Sequence, residues 1–142
     1  MTKQEIIDTL NKYPSMQLAT VDEKGAPRTR GIFMYSADDS GILFHTGSFR
    51  DLYTQLKADA RVEASFVDTE RFIQIRASGT AVELDDAELR TKIINTPGRE
   101  FLRPTIERFG AEAIRVFKIS ECRASVWSMK TNTQYPKEEV LF

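Results

Sequence analysis

Residues 27–56, PRTRGIFMYSADDSGILFHTGSFRDLYTQL, decide the fold. Arg28 to Ser36 reads as one strand and Ile42 to Thr46 as the next, joined by the polar turn Asp38-Asp39-Ser40-Gly41. A connection this short forces antiparallel pairing, because parallel strands need a crossover of a dozen or more residues. After Gly47, the residues Phe49, Leu52, Tyr53 and Leu56 recur at i, i+3, i+4 and i+7, so a helix is expected to open at Ser48. Arg28, Arg30 and Arg50, the Ser48 hydroxyl and a helix N-terminus thus lie close together in the chain. Such a grouping suits a phosphate monoester better than it suits a folding core.

The same reading extends in both directions. Ile6, Ile7 and Leu10 fall at helical spacing between Thr2 and Tyr13, Thr2 with Glu5 forms a capping-box pattern, and Pro14 ends the helix. Met16 to Val21 alternates as a strand and turns at Asp22-Glu23-Lys24-Gly25. Arg61 to Val67 and Arg71 to Val82 are further strands. Asp85 or Asp86 caps a helix through Ile94, which Thr96-Pro97-Gly98 interrupts. Pro104 then fits the first turn of a short helix that Gly110 closes. Ile114 to Ile119 and Ala124 to Met129 read as the last two strands. Short turns between this many strands point to an antiparallel sheet closing into a small barrel, with helices packed outside.

Composition narrows the function. The 142 residues, 41% hydrophobic, are expected to form a single domain over 1–142. Twenty basic and 21 acidic residues nearly cancel, so no global field favours nucleic acid or an anionic membrane. No apolar run is long enough for a membrane span, and Met1-Thr2-Lys3-Gln4-Glu5 lacks signal-peptide character. Cys122 is the only cysteine, which points to the cytoplasm. One cysteine and one histidine, His45, argue against a metal site and against a Cys-His nucleophile. Difficult chemistry would then come from a bound cofactor.

Each candidate has a plainer reading beside it. Arg28, Arg30, Ile32 and Met34 share one strand face, wet at one end and dry at the other. An edge strand with solvated arginines would look the same. Ser48 with Asp51 fits a capping pattern, and an anion at that helix end would reconcile Arg50 with the positive N-terminus. Equally, Asp51 could balance Arg50 in solvent. Gln74, Arg76 and Ser78 form a polar row that faces either water or a planar polar ligand. Trp127 reads first as a core or interface residue, and His45 as a turn-flanking hydrogen-bonder.

In order, Gly25-x-Pro27-Arg28-x-Arg30-Gly31, Phe44-His45-Thr46-Gly47, Asp51-Leu52-Tyr53-x-Gln55-Leu56, Gln74-x-Arg76-x-Ser78-Gly79 and Val126-Trp127-Ser128-Met129 resemble the FMN-binding split barrel. The likeness is to its small bacterial members, grouped as pyridoxamine 5′-phosphate oxidase-like. The resemblance implies a mainly β, α+β fold: a six-stranded antiparallel split barrel with peripheral helices. It also implies a homodimer with FMN at the subunit interface.

By position, Arg30 matches the arginine that meets the FMN phosphate, with Arg28, Gly31 and Ile32 beside it on the strand. Ser48 and Arg50 fall in the phosphate-binding turn, His45 and Thr46 lie along the isoalloxazine, and Gln74 and Trp127 fall where the flavin is approached. The oxidase proper carries an arginine-lysine pair where Asp51 and Leu52 stand, and an arginine-bearing C-terminal segment; here no arginine follows Arg123. The implied function is an FMN-dependent oxidoreductase acting on a small-molecule donor or acceptor, but a poor pyridoxamine phosphate oxidase. A non-catalytic flavin-binding or stress-associated protein, and a barrel holding haem or a deazaflavin, stand as alternatives.

Overall fold

Side-chain alternation sets the architecture of the computed structural model, which describes residues 1–142. In β1 (Ser15–Val21) Met16, Leu18 and Thr20 are buried, and in β5 (Arg61–Asp68) Val62, Ala64, Phe66 and Asp68 are. One face of each strand therefore builds the core while the other meets solvent. The remaining long strands are β2 (Pro27–Phe33), β4 (Gly41–Gly47), β6 (Ile73–Leu84) and β7 (Ile114–Trp127). Two three-residue strands, β3 (Ser36–Asp38) and β8 (Glu139–Leu141), join them. All pairings are antiparallel, in the order β2-β1-β5-β6-β7-β4-β3, with β8 added to β7. The expected six-strand antiparallel barrel is thus present with two short additions.

Two strand assignments change. Arg28 to Ser36 is not one strand, because the chain changes partners in its middle. Met34 N–H donates to Pro14 O (2.9 Å), at one end of the sheet, and Tyr35 N–H donates to Leu43 O (2.7 Å), at the other. These successive bonds draw the two sheet edges together at that point. Beyond it β2 and β4 do not pair, which leaves the barrel split. The two last expected strands are instead one, β7. Glu121 takes a left-handed φ of 55°, and the β6–β7 register shifts between Ser78 and Thr80. This irregularity moves the inward set from Phe117 and Ile119 to Cys122 and Ala124, hiding a continuous strand behind a change of phase.

The core of 21 residues lies inside the barrel, centred on Phe44, Phe66, Phe117, Leu18 and Ile75. Helix α1 (Lys3–Lys12) adds Ile6, Ile7 and Leu10, and its Thr2–Glu5 capping box forms as expected. Asn11 exchanges two 2.9 Å hydrogen bonds with the Ala37 backbone, fixing β3 against that helix. Helix α2 (Asp51–Ala58) contributes Leu52 and Leu56. Helix α3 (Ala87–Ile94), capped by Asp86 on Leu89 N–H, and α4 (Arg103–Phe109), with Pro104 in its first turn and Gly110 at its end, pack outside. Val140 and Phe142 lie against the core through β8, and Phe142 exchanges backbone bonds with Cys122. Of the last three apolar residues, Val140 and Phe142 are therefore partly covered within the chain, while Leu141 stays largely exposed. No helix is long and apolar enough to cross a membrane.

Candidate functional site

A cleft of about 490 Å³ opens where β2 and β4 part. Residues 28–33 of β2 form one wall and His45, Thr46 and Gly47 of β4 the other. The turn into α2 supplies Phe49, Arg50, Asp51 and Leu52, and Phe101, Leu102 and Thr105 close the remaining side. Three arginines and one aspartate line it, so its field favours an anion.

Arg30 is the best-placed cation. It pairs across the ladder with Leu18, which turns it toward the barrel interior. Its Nη1 donates to Leu18 O (3.1 Å) and Thr20 Oγ1 (2.7 Å), and its Nη2 to Gln55 Oε1. Thr20 in turn donates to Gln55 Oε1 at 2.7 Å, and both residues are buried. A guanidinium has five N–H donors, so two remain free after these three bonds. No ion pair in the chain includes Arg30. Burial lowers its pKa from the ordinary value, opposed by the nearby Asp51 charge. A half-buried, rigidly held cation without a carboxylate is electrostatically incomplete.

The other expected anion ligands behave differently. Arg28 is exposed at the rim and paired with Asp22 at 3.0 Å. Arg50 lines the cleft from the N-cap position of α2, with extended backbone, and its guanidinium stands 5.1 Å from the Phe49 ring centroid. Ser48 does not cap the helix: α2 begins at Asp51 without a side-chain cap, and Asp51 Oδ1 accepts from Leu52 N–H at 2.9 Å. Ser48 is exposed and lies outside the cleft lining, because its N–H is held by Ala113 O at 2.8 Å. Here the chain is a turn, not the first turn of a helix.

On the β4 wall, Thr46 is buried and His45 half-buried. His45 Nε2 lies 2.9 Å from Arg99 Nη1, and its pKa is pushed down to about 4, chiefly by burial and then by the Arg99 charge. The ring is neutral at ordinary pH. Gly31 and Ile32 also line the cleft.

Gln74 and Trp127 do not join the cleft of their own chain. They are register partners on β6 and β7, with Gln74 Nε2 donating to Ser65 Oγ (3.0 Å) and Trp127 Nε1 to Asn132 Oδ1 (2.9 Å). Val67, also in register with Gln74, is half exposed on the same row. Cys122 is buried with its thiol pKa pushed up to about 11 by desolvation, so it is no nucleophile.

Sequence reasoning missed Phe101 and Leu102, which line the cleft from the connection between α3 and α4, Thr105 of α4 itself, and Arg99 of that connection, which reaches His45 on the β4 wall. The available signal was slight: an arginine directly after the Pro97-Gly98 break, two residues before an aromatic.

A family model described as pyridoxamine 5′-phosphate oxidase matches residues 2–128. The chain is 30% identical over 111 residues to the pyridoxine/pyridoxamine 5′-phosphate oxidase of Haemophilus influenzae, covering 78% of this chain and 50% of that protein. It thus spans about half the length of the curated relatives it matches. Among solved structures it is similar to general stress protein 26 of Bacillus anthracis, with a TM-score of 0.72, 15% identity, and coverage of 99% of this chain and 98% of that one. It is also similar to HutZ, the haem storage protein of Vibrio cholerae, with a TM-score of 0.59, 18% identity, and coverage of 84% and 90%. At these identities the two structures speak for the fold alone.

Proposed function

Because this chain belongs to the pyridoxamine 5′-phosphate oxidase family, we propose that its cleft binds FMN and that it is an FMN-dependent oxidoreductase acting on a small molecule. The observation that carries this reading is Arg30: a guanidinium fixed by three bonds, without a carboxylate partner, holding two donors free beside the start of α2. A phosphate, like a carboxylate, can accept from two donors of one guanidinium at once, and the phosphate of FMN is the anion this reading places there.

Arg30 would hold the phosphate with Arg50 beside it at the α2 end of the cleft, and His45 and Thr46 would border the ring. When bound, FMN supplies the electron-transfer chemistry that no side chain here provides. The protein's part is to bind and orient. Thr20 and Gln55 keep the Arg30 fork in place, and the neutral His45 adds no charge beside the ring. Phe33, Phe49 and Phe101 offer apolar area that excludes water from the cleft.

The functional unit in this reading is a homodimer with FMN at the subunit interface. The support is the row formed by Val67, Gln74 and Trp127, outside the cleft of its own chain, together with exposed Phe72 and Met129 nearby in sequence. A symmetric dimer would cover this row and bring Gln74 and Trp127 to a neighbouring flavin. Light scattering is expected to give a dimer mass at micromolar concentration. A flavin-loaded monomer would refute the interface assignment.

Haem is the second reading, raised by the fold shared with HutZ. Against it, the chain's only histidine has Nε2 engaged by Arg99 and is therefore poorly placed as an axial ligand. The visible spectrum of the protein as purified, followed by mass analysis of the released ligand, separates flavin, deazaflavin and haem. Flavin reoxidation with and without electron donors then separates an enzyme from a passive flavin carrier.

A further inference from the structure

Arg99 follows the break at Thr96-Pro97-Gly98 and reaches back to β4. Its Nη1 lies 2.9 Å from His45 Nε2, and its Nη2 donates to Met34 O at 2.8 Å. Its guanidinium carbon stands 5.4 Å from the Tyr35 ring centroid and 5.8 Å from that of Phe101. A 2.9 Å hydrogen bond between the Tyr35 and Thr96 hydroxyls ties the same turn down. The fork is therefore held in place without any carboxylate, since no ion pair includes Arg99 either.

The chemistry of this contact decides a proton position. Arginine has donors only, so His45 Nε2 must be the acceptor. A neutral imidazole that accepts at Nε2 carries its hydrogen on Nδ1, and an imidazolium has no acceptor to offer. Nδ1 makes no hydrogen bond inside the protein, and the ring lines the cleft.

We propose that Arg99 is a positioning residue that locks His45 as the neutral Nδ1–H tautomer, so that the β4 wall presents one fixed N–H donor to a bound ligand. The matching group on the ligand is an acceptor, either a carbonyl oxygen or an unprotonated ring nitrogen. A ligand with an N–H at that edge would set donor against donor and leave both unsatisfied. The identity of the ligand rests on the FMN reading; the tautomer does not.

The single histidine makes the test unambiguous. In 15N-labelled protein at neutral pH, a long-range 1H–15N correlation is expected to give a pyrrole-type Nδ1 and a pyridine-type Nε2. Arg99→Met keeps the stem but loses the donor, and is expected to move most of the proton to Nε2. Arg99→Lys restores a donor and is expected to keep the Nδ1–H form. An Nε2–H signal in the wild type, or an unaltered tautomer in Arg99→Met, would overturn the lock. Should Arg99→Met lose its fold, the wild-type spectrum still overturns the lock if Nε2 carries the proton. Added FMN is expected to shift the Nδ1–H resonance and slow its exchange with water. Saturating flavin that leaves Nδ1 unmoved would overturn the donor role and leave FMN binding intact. Absence of flavin binding with Nδ1–H in place would instead overturn the FMN reading alone.

Discussion

Replacing Arg30 by alanine tests the phosphate assignment most directly, because that side chain has both a ligand-facing and an inward-facing role. The inward role is three hydrogen bonds, to Leu18 O, Thr20 Oγ1 and Gln55 Oε1. The ligand-facing role is the two donors left over. A hydrogen bond to a charged group contributes about 1.5–3 kcal/mol, so losing one weakens FMN by about ten- to a hundredfold. Losing both would cost about a hundred- to ten-thousandfold by the same arithmetic. Riboflavin lacks the phosphate and is expected to lose far less. The assay is titration of the apoprotein by flavin fluorescence, with FMN and riboflavin measured in parallel. Arg30→Lys keeps a charge but not the planar fork, and should fall between wild type and alanine for FMN. A thermal melt of each variant accounts for the released Thr20 and Gln55. Equal losses for FMN and riboflavin in a folded Arg30→Ala protein would refute the reasoning.

Gly41 has φ +126°, and an added Cβ would stand 2.0 Å from Ile119 O, so Gly41→Ala should destabilise by about 3 kcal/mol or more. Gly25→Ala, at φ +79° with nothing within 4 Å, should lose only about 1 kcal/mol, and equal urea midpoints for the two variants would contradict this. The His45 pKa, about 4 when folded, lies below its 6.5 when unfolded. The unfolded chain therefore binds the extra proton, and stability is full above pH 6.5 and falls by about 3 kcal/mol as pH drops to 4. Urea midpoints across that range should flatten in His45→Gln, and an identical slope in both proteins would exclude this origin. Turnover of pyridoxamine 5′-phosphate by FMN-loaded protein should be far below about 1 s⁻¹. A second phosphate needs its own cation, and Arg28, Arg76 and Arg123 already face Asp22, Glu63 and Glu139. Pyridoxal phosphate production at ordinary enzyme rates would show a substrate site built from other residues.

Sequence by itself determined the elements whose signals are local. The Thr2–Glu5 box, the Asp86 cap, Pro104, Gly110 and the period-2 strands needed only neighbours in the chain to be read. Arg30 was legible for the same reason, as a cation on the inward face of an alternating strand. What tertiary structure decided is everything that depends on which distant backbone a residue meets. The partner switch at Met34 and Tyr35 splits the barrel because Pro14 and Leu43 lie at opposite ends of the sheet. The positive φ at Glu121 joins two apparent strands into one by changing their phase. Ser48 matched a cap pattern, yet Ala113 holds its backbone in a turn, so the helix starts three residues later. Arg99 stands 54 positions from His45, and no periodicity encodes a contact at that separation. Local propensity acts over a few residues, whereas the cleft is assembled by long-range pairing, which appears only once the sheet has closed.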